Sequence, residues 1–381
     1  MTENNRKVEE SSLSNFRKIV MLKHLLELMV MMLLYAMLDN VSGIKKYVVI
    51  IVACIVLLFL GRKKCWDIKI VLTAVIPTFV YIIAGNISAL IATNSQITTV
   101  KVSMYILVPL LFVFAMYVNY GEEMEHIVGV QFIGSIVAYS LFDAPYFAKI
   151  FHWESIYAFT FGIFAVYYAH QKKWKYFIIA FLFVVFGEKR IAILAIVAAV
   201  IMMGILWLFR QNRKLVFGFW GIVIAAIYAY LYLIYSGIME AFCWGANINT
   251  NGRVEMYSRM ASEARFSVGY FGKGLGSVEN ILECWNISTF VNLHNDLLKF
   301  YIELGFIGLI VYLLSYGIMF LLSEKWFGKS QMSFLFGIVT YTFILFATDN
   351  VSIYMIYLIP MYSTFFAVLS RKSNDESRIE G

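Results

Sequence analysis

The chain is 381 residues long, 61% hydrophobic and only 14% charged, with a mean hydropathy of +0.76. A soluble domain carries about a quarter charged residues, so a water-soluble globule is excluded. The formal net charge of +7 does not point to nucleic acid either, because the basic residues cluster at the ends of apolar runs, where topology signalling and anionic lipid account for them.

The apolar runs are continuous rather than alternating, so spanning strands are not expected. The expected fold is all-α: a polytopic membrane protein of about twelve transmembrane helices. No cleavable signal peptide is expected; a polar, basic leader runs to about Lys23. Spans are predicted near 19–38, 47–60, 68–91, 100–120, 126–142, 155–170, 174–187, 190–209, 215–235, 295–322, 331–347 and 351–370. Two are short. The first of these has Lys45 and Lys46 as snorkelling ends, the second Trp174 and Lys175. Pro77 and Pro109 lie within spans and should kink them.

With a cytoplasmic N-terminus, the inner segments hold nineteen Lys and Arg and the short outer loops six. That bias satisfies the positive-inside rule. One inner loop, Gly121–Glu125, is acidic, but Asp and Glu weigh little in the rule. Both termini are expected in the cytoplasm. The one long loop, about 236–293, then lies on the outer face. Its aromatic residues and glycines suggest that it folds against a single membrane domain comprising 1–381. Cys243 and Cys284 share this loop and could pair if it is exported.

Few residues offer chemistry. No HExxH or dense His/Cys cluster suggests a metal. Gly272-Lys273-Gly274-Leu275-Gly276-Ser277 lacks phosphate-loop spacing and reads as a turn. Gly187-Glu188-Lys189-Arg190 is either a plain polar hairpin or an arginine at the mouth of an outward cavity. In 251–267, Asn251 is a candidate N-cap, and Met256, Tyr257, Met260 and Ala264 form an apolar stripe with Arg253 in its middle. Arg259 and Arg265 fall off that stripe, and Arg259 is spaced to pair with Glu255 and Glu263. An arginine on a buried face needs an anion, either an internal carboxylate or a ligand. His294 and Asn295 stand where the long loop ends and a membrane helix begins. Glu303 follows about 13 Å further along that helix and should face the bundle interior. Gly305 and Gly308 suit close helix contact.

His294-Asn295-x-x-Leu298, followed by Glu303-x-Gly305-x-x-Gly308, resembles the O-antigen ligase and Wzy-type polymerase superfamily. Glu188-Lys189-Arg190 is similar to the family's small-residue-plus-arginine segment, with Lys189 where a serine is usual. Gly252-Arg253 with Tyr257 resembles its loop motif, and the Gly274-x-Gly276 turn follows. The likeness covers roughly 155–370.

The resemblance implies a metal-independent glycosyltransferase of the bacterial inner membrane, needing no cofactor. The donor would be an undecaprenyl-diphosphate-linked oligosaccharide at the outer leaflet, and the acceptor a sugar hydroxyl. Arg190 and Arg253, with Arg265 third, are the candidates for stabilising the leaving diphosphate. His294 is the candidate base, or alternatively a diphosphate-binding cation. Asn295 and Tyr257 are candidate substrate contacts. The leading function is a polymerase of O-antigen or capsule repeat units, working in the bilayer beside a flippase and a chain-length regulator. The alternatives are a ligase acting on lipid A–core, a lipid-linked oligosaccharide transporter, and a non-catalytic scaffold or receptor.

Overall fold

A computed structural model describes residues 27–30, 34, 45–60, 66–92, 96–144, 154–285 and 292–371. Among them there is no strand. The helices are α1 (Lys45–Leu60), α2 (Ile68–Ile91), α3 (Gln96–Tyr120), α4 (Met124–Ala138), α5 (Tyr157–His170), α6 (Trp174–Phe186) and α7 (Arg190–Leu208). They continue with α8 (Arg213–Tyr235), α9 (Ile238–Gly245), α10 (Arg253–Ala261), α11 (Ser277–Trp285), α12 (Asp296–Phe327), α13 (Lys329–Phe346) and α14 (Met355–Leu369). The span expected at 19–38 lies largely outside the described residues. Among the described residues, six stretches are long and apolar enough to cross a bilayer: α2, the run Thr99–Asp143, α7, α8, α12 and α13. Two shorter apolar helices, α6 and α14, accompany them.

Local chemistry explains where several helices start. Asp67, Asn212 and Asn295 each place a side-chain oxygen on an orphan backbone N–H of the first turn, at Lys69, Lys214 and Leu298. Between α3 and α4, Gly121 takes φ +53° and a single 3-10 turn carries the acidic Glu122 and Glu123. Both α2 and α3 run on through Pro77 and Pro109. The break in the backbone lies elsewhere, at Gly305 of α12, with φ 75° and ψ −176°.

Burial sorts the helices into an inner and an outer set. Every residue of α14 is buried, as are all but the last of α5 and most of α13. Their small residues let aromatics in: Tyr341 of α13 lies over Gly162 of α5 and donates its hydroxyl to the Phe159 carbonyl at 2.8 Å. By contrast α6 buries only Ala180 and Val184. Leu182, Phe186, Leu194, Ile201 and Ile222 of α6, α7 and α8 point outward. An apolar surface of that extent suits lipid and not water.

The segment between α8 and α12 is helical in part and packs back on the bundle. Glycines make its closest approach. Leu275 packs against Gly85 of α2, and Gly274 (φ +87°) against Ala89. Gly272 (φ +86°) lies against the broken backbone of α12. There Lys273 N and Gly274 N donate to the Ile302 and Glu303 carbonyls at 2.8 and 2.9 Å, and Phe306 N donates to the Tyr270 carbonyl at 2.8 Å. The fully buried Glu303 accepts from Tyr81 Oη at 2.7 Å and Gly276 N at 2.8 Å. Lys299 pairs with Glu279 of α11, whose carboxyl burial pushes up but the Lys299 ammonium holds below its ordinary range. Cys243 and Cys284 are free thiols.

The two ends of the bundle also sort. The segments expected on the inner face meet at one end, where Lys173 pairs with Glu125, Arg371 with Gln171, and Arg213 with Glu324 at 3.9 Å. The segments expected outside meet at the other.

Candidate functional site

That other end is assembled around the start of α12. Asn295 caps the helix and is fully buried. Its amide donates to Tyr230 Oη at 2.8 Å, and Tyr230 donates to the Ala347 carbonyl at 2.7 Å. Asp296 accepts from Ser352 N at 2.9 Å and Ser352 Oγ at 2.6 Å. Its own N–H donates to the Asp349 carbonyl at 3.3 Å. These bonds stitch α12 to the short connection between α13 and α14, and so bring the Asp349 carboxylate beside His294.

His294 precedes the cap in a left-handed conformation, φ 53°, which is uncommon for a non-glycine residue. Tyr257 of α10 holds it there by donating to the His294 carbonyl at 2.7 Å. The imidazole Nδ1 lies 3.5 Å from Asp349 Oδ1, an ion-pair distance at which no hydrogen bond forms. Asp349 Oδ2 accepts from Lys189 Nζ at 3.3 Å, and the same ammonium donates to Glu154 Oε2 at 2.6 Å. Lys189 also stands 5.3 Å from the Phe159 ring centroid. Arg253 is half-buried at the first position of α10 and reaches the Thr348 carbonyl at 3.4 Å.

Electrostatics here is set by Asp349, whose side chain is only 3% exposed. Burial alone would raise its carboxyl. His294, the Lys189 ammonium and the Asn350 N–H outweigh burial and pull it down to about 2. It is therefore an anion among cations. His294 Nδ1, Thr348 Oγ1 and Asn350 Oδ1 are buried polar atoms without a hydrogen-bond partner among the described residues. Each such atom costs about 1–3 kcal/mol. The first lies beside the Asp349 carboxylate, and the other two belong to the residues that flank Asp349 in the chain.

The structure thus brings together His294, Asn295, Tyr257 and Arg253. It does not bring Arg190 or Arg265 into the cluster. Arg190 stays exposed at the start of α7, and the preceding Lys189 turns inward in its place. Arg265 is exposed beyond α10, with its carbonyl accepting from Tyr301 Oη at 2.9 Å. Helix α10 starts after Gly252 (φ 75°), so Asn251 is not its cap. Arg259 stacks on Trp285 at 4.1 Å, Glu263 pairs with Lys273 at 3.1 Å, and Glu255 meets Thr250 at 3.4 Å. The apolar stripe of α10 does face inward, with Met256, Tyr257 and Met260 buried.

Sequence reasoning missed Asp349 as the partner of His294, and the Lys189–Glu154 pair beside it. The one available signal was a polar Asp349-Asn350 pair in a tight connection between two apolar helices. Among the described residues, no group of three His, Cys, Asp or Glu is placed to hold a metal ion.

No curated protein matches the chain. Residues 176–313 match the family model Wzy_C, described as O-antigen ligase. The match takes in the Gly187–Arg190 turn, α10 and His294, and stops short of Asp349. Over residues 176–313, then, this membrane protein is similar to the O-antigen ligase family.

Proposed function

We propose that the chain joins undecaprenyl-diphosphate-linked oligosaccharide repeat units into O-antigen or capsular polysaccharide at the outer leaflet of the bacterial inner membrane. One observation carries this reading: His294 and Lys189 converge on Asp349, and Arg253 reaches the carbonyl of the preceding Thr348, at a single end of an apolar helix bundle. Such a cluster suits a reaction in which a sugar hydroxyl attacks an anomeric carbon and a lipid diphosphate departs.

The bond formed is from the acceptor oxygen to the anomeric carbon, and the bond broken is from that carbon to the diphosphate oxygen. The hydroxyl proton needs an acceptor. Asp349 beside Nδ1 favours a proton on that nitrogen, which leaves His294 Nε2 to accept the next one. The imidazolium so formed is stabilised by the same carboxylate. Arg253 stabilises the departing diphosphate, for which a guanidinium fork is the best-matched side chain. Lys189 is held between Glu154 and Asp349, keeping a second positive charge at the site. Arg190 and Arg265 are exposed, and we retain them as contacts for the diphosphate or glycan approaching from outside. Asn295 and Tyr257 act through position, by fixing the turn that carries His294. No metal or cofactor takes part in the steps proposed. A flippase would supply the donor, and a chain-length regulator would limit the product.

A ligase is the second reading, favoured by the description of the matching family model. Both readings are tested in cells lacking the protein, complemented with the native or the His294→Ala chain. A polymerase predicts surface glycan of one repeat unit with the variant. A ligase predicts long lipid-linked glycan with none on lipid A–core. Normal glycan from a His294→Ala chain present at native level overturns the assignment of His294.

A further inference from the structure

Helix α9 is set apart from the rest of the segment that links α8 to α12. None of its eight residues is buried. Ile238, Phe242 and Trp244 are 49%, 65% and 71% exposed. In the loop beyond α10, Val268 and Phe271 are 62% and 54% exposed. Large apolar side chains this exposed to water would invite aggregation.

Its position along the membrane normal follows from chain geometry. The charge-free part of α12 runs from Leu304 to Ser323. At 1.5 Å per residue that is about 30 Å, close to the hydrocarbon thickness of a bilayer. Gly305 therefore lies at the hydrocarbon boundary, and the first turns of α12, with His294, stand beyond it. Phe271 is level with that boundary, because its neighbours Tyr270 and Gly272 lie against the Gly305 backbone. The end of α8 is at nearly the same level, since Tyr235 packs on Tyr301 with ring centroids 5.4 Å apart. Only Ser236 and Gly237 separate α8 from α9, and two residues reach at most about 7 Å. The headgroup zone is about 5–7 Å deep on each side. Helix α9 therefore begins no more than about 12 Å beyond the hydrocarbon boundary. Gly237, with φ +71°, turns the chain off the axis of α8 at that point.

We propose that α9, with Val268 and Phe271, is an apolar foot lodged in the headgroup–acyl boundary of the leaflet at the His294 end of the bundle. Its occupant is the bilayer, because the patch continues the lipid-facing surface of α8 through the exposed Tyr232 and Leu233. Tryptophan and phenylalanine are the side chains expected at that depth. The foot would hold the chain leading to α10, and hence Arg253, at the level of lipid headgroups. This inference does not depend on the reaction proposed above.

The test uses the full chain in vesicles of phosphatidylethanolamine and phosphatidylglycerol. Cys65, Cys243 and Cys284 are replaced by Ser, and the buried Cys54 is left in place. An environment-sensitive fluorophore is attached to a single new thiol: Phe242→Cys, Trp244→Cys, Phe271→Cys or, as the aqueous control, Ser262→Cys at an exposed polar position. These side chains are exposed, so their replacement removes little packing. A size-exclusion profile matching the native chain is required before reconstitution. The expected result is a blue-shifted emission at positions 242, 244 and 271, quenched by nitroxide lipid and protected from an aqueous nickel chelate, with the reverse at 262. Quenching of 242 and 244 by the aqueous chelate, as at 262, overturns the proposal. Protection from both quenchers also overturns it, and identifies the patch as an interface between copies of the chain.

Discussion

At the residue scale, the site depends on one buried carboxylate surrounded by donors. Asp349 titrates near 2 instead of its ordinary 3.8, a shift equivalent to about 2 kcal/mol. Because the folded value lies below the unfolded one, this stabilisation is present above about pH 4 and is lost as pH falls through about 2. The Asp349→Asn chain should therefore melt below the native chain in detergent at pH 7, by a margin that shrinks as pH falls below about 4. Melting curves at pH 7 and at steps down to about pH 3 check it, and a margin unchanged at the lowest pH would show that the carboxylate charge is not its source. Arg253 makes a different demand. Lysine keeps its charge but loses the planar fork, so Arg253→Lys should lower the transfer rate about a hundredfold with little change in melting temperature. Single-turnover transfer with purified chain measures this. A near-native rate would show that charge alone suffices at position 253.

At the scale of elements, the break in α12 is the feature that lets the α8–α12 segment approach the bundle. The Gly305 backbone lies in a region that side chains avoid, at a cost of about 1–3 kcal/mol. A Cβ there would also collide with the Tyr270 carbonyl and the Phe271 backbone. Gly305→Ala should lower the melting temperature and the yield of folded chain. Gly308→Ala should be near neutral, since its Cβ would meet only Leu304 Cβ of the same helix, at 3.1 Å. The two glycines look alike in the sequence, three residues apart in one apolar run. Helical spacing suggested a shared role in close helix contact. The structure separates them, because one sits at a left-handed break against another segment and the other does not.

At the scale of the whole molecule, two polar ends are divided by an apolar waist. Glu154, Lys189, His294 and Asp349 meet at one end; Glu125, Lys173, Gln171 and Arg371 meet at the other. The excess of basic residues in the second group of segments predicts that this end faces the cytoplasm. Membrane-impermeant thiol reagents applied to intact spheroplasts should label a cysteine introduced at Arg190, and should not label one introduced at Lys172. The reverse pattern would invert the molecule and remove the outer-leaflet reaction from consideration.

Hydropathy alone determined that the chain lies in a membrane, and it placed most helices within a few residues, because a bilayer admits apolar runs of one length. His294 and Arg253 stood out in the sequence, since a histidine at the start of a span and an arginine in an apolar stripe conflict with their surroundings; Asn295 stood out only through the family resemblance of its motif. Only the tertiary structure decided that Lys189 and not Arg190 turns inward, and that its partner is Asp349, 160 residues away. It also decided that α12 breaks at Gly305. No local pattern encodes these outcomes. Each depends on a backbone or a charge supplied by a segment far along the chain, and is settled only when burial forces the two to satisfy one another.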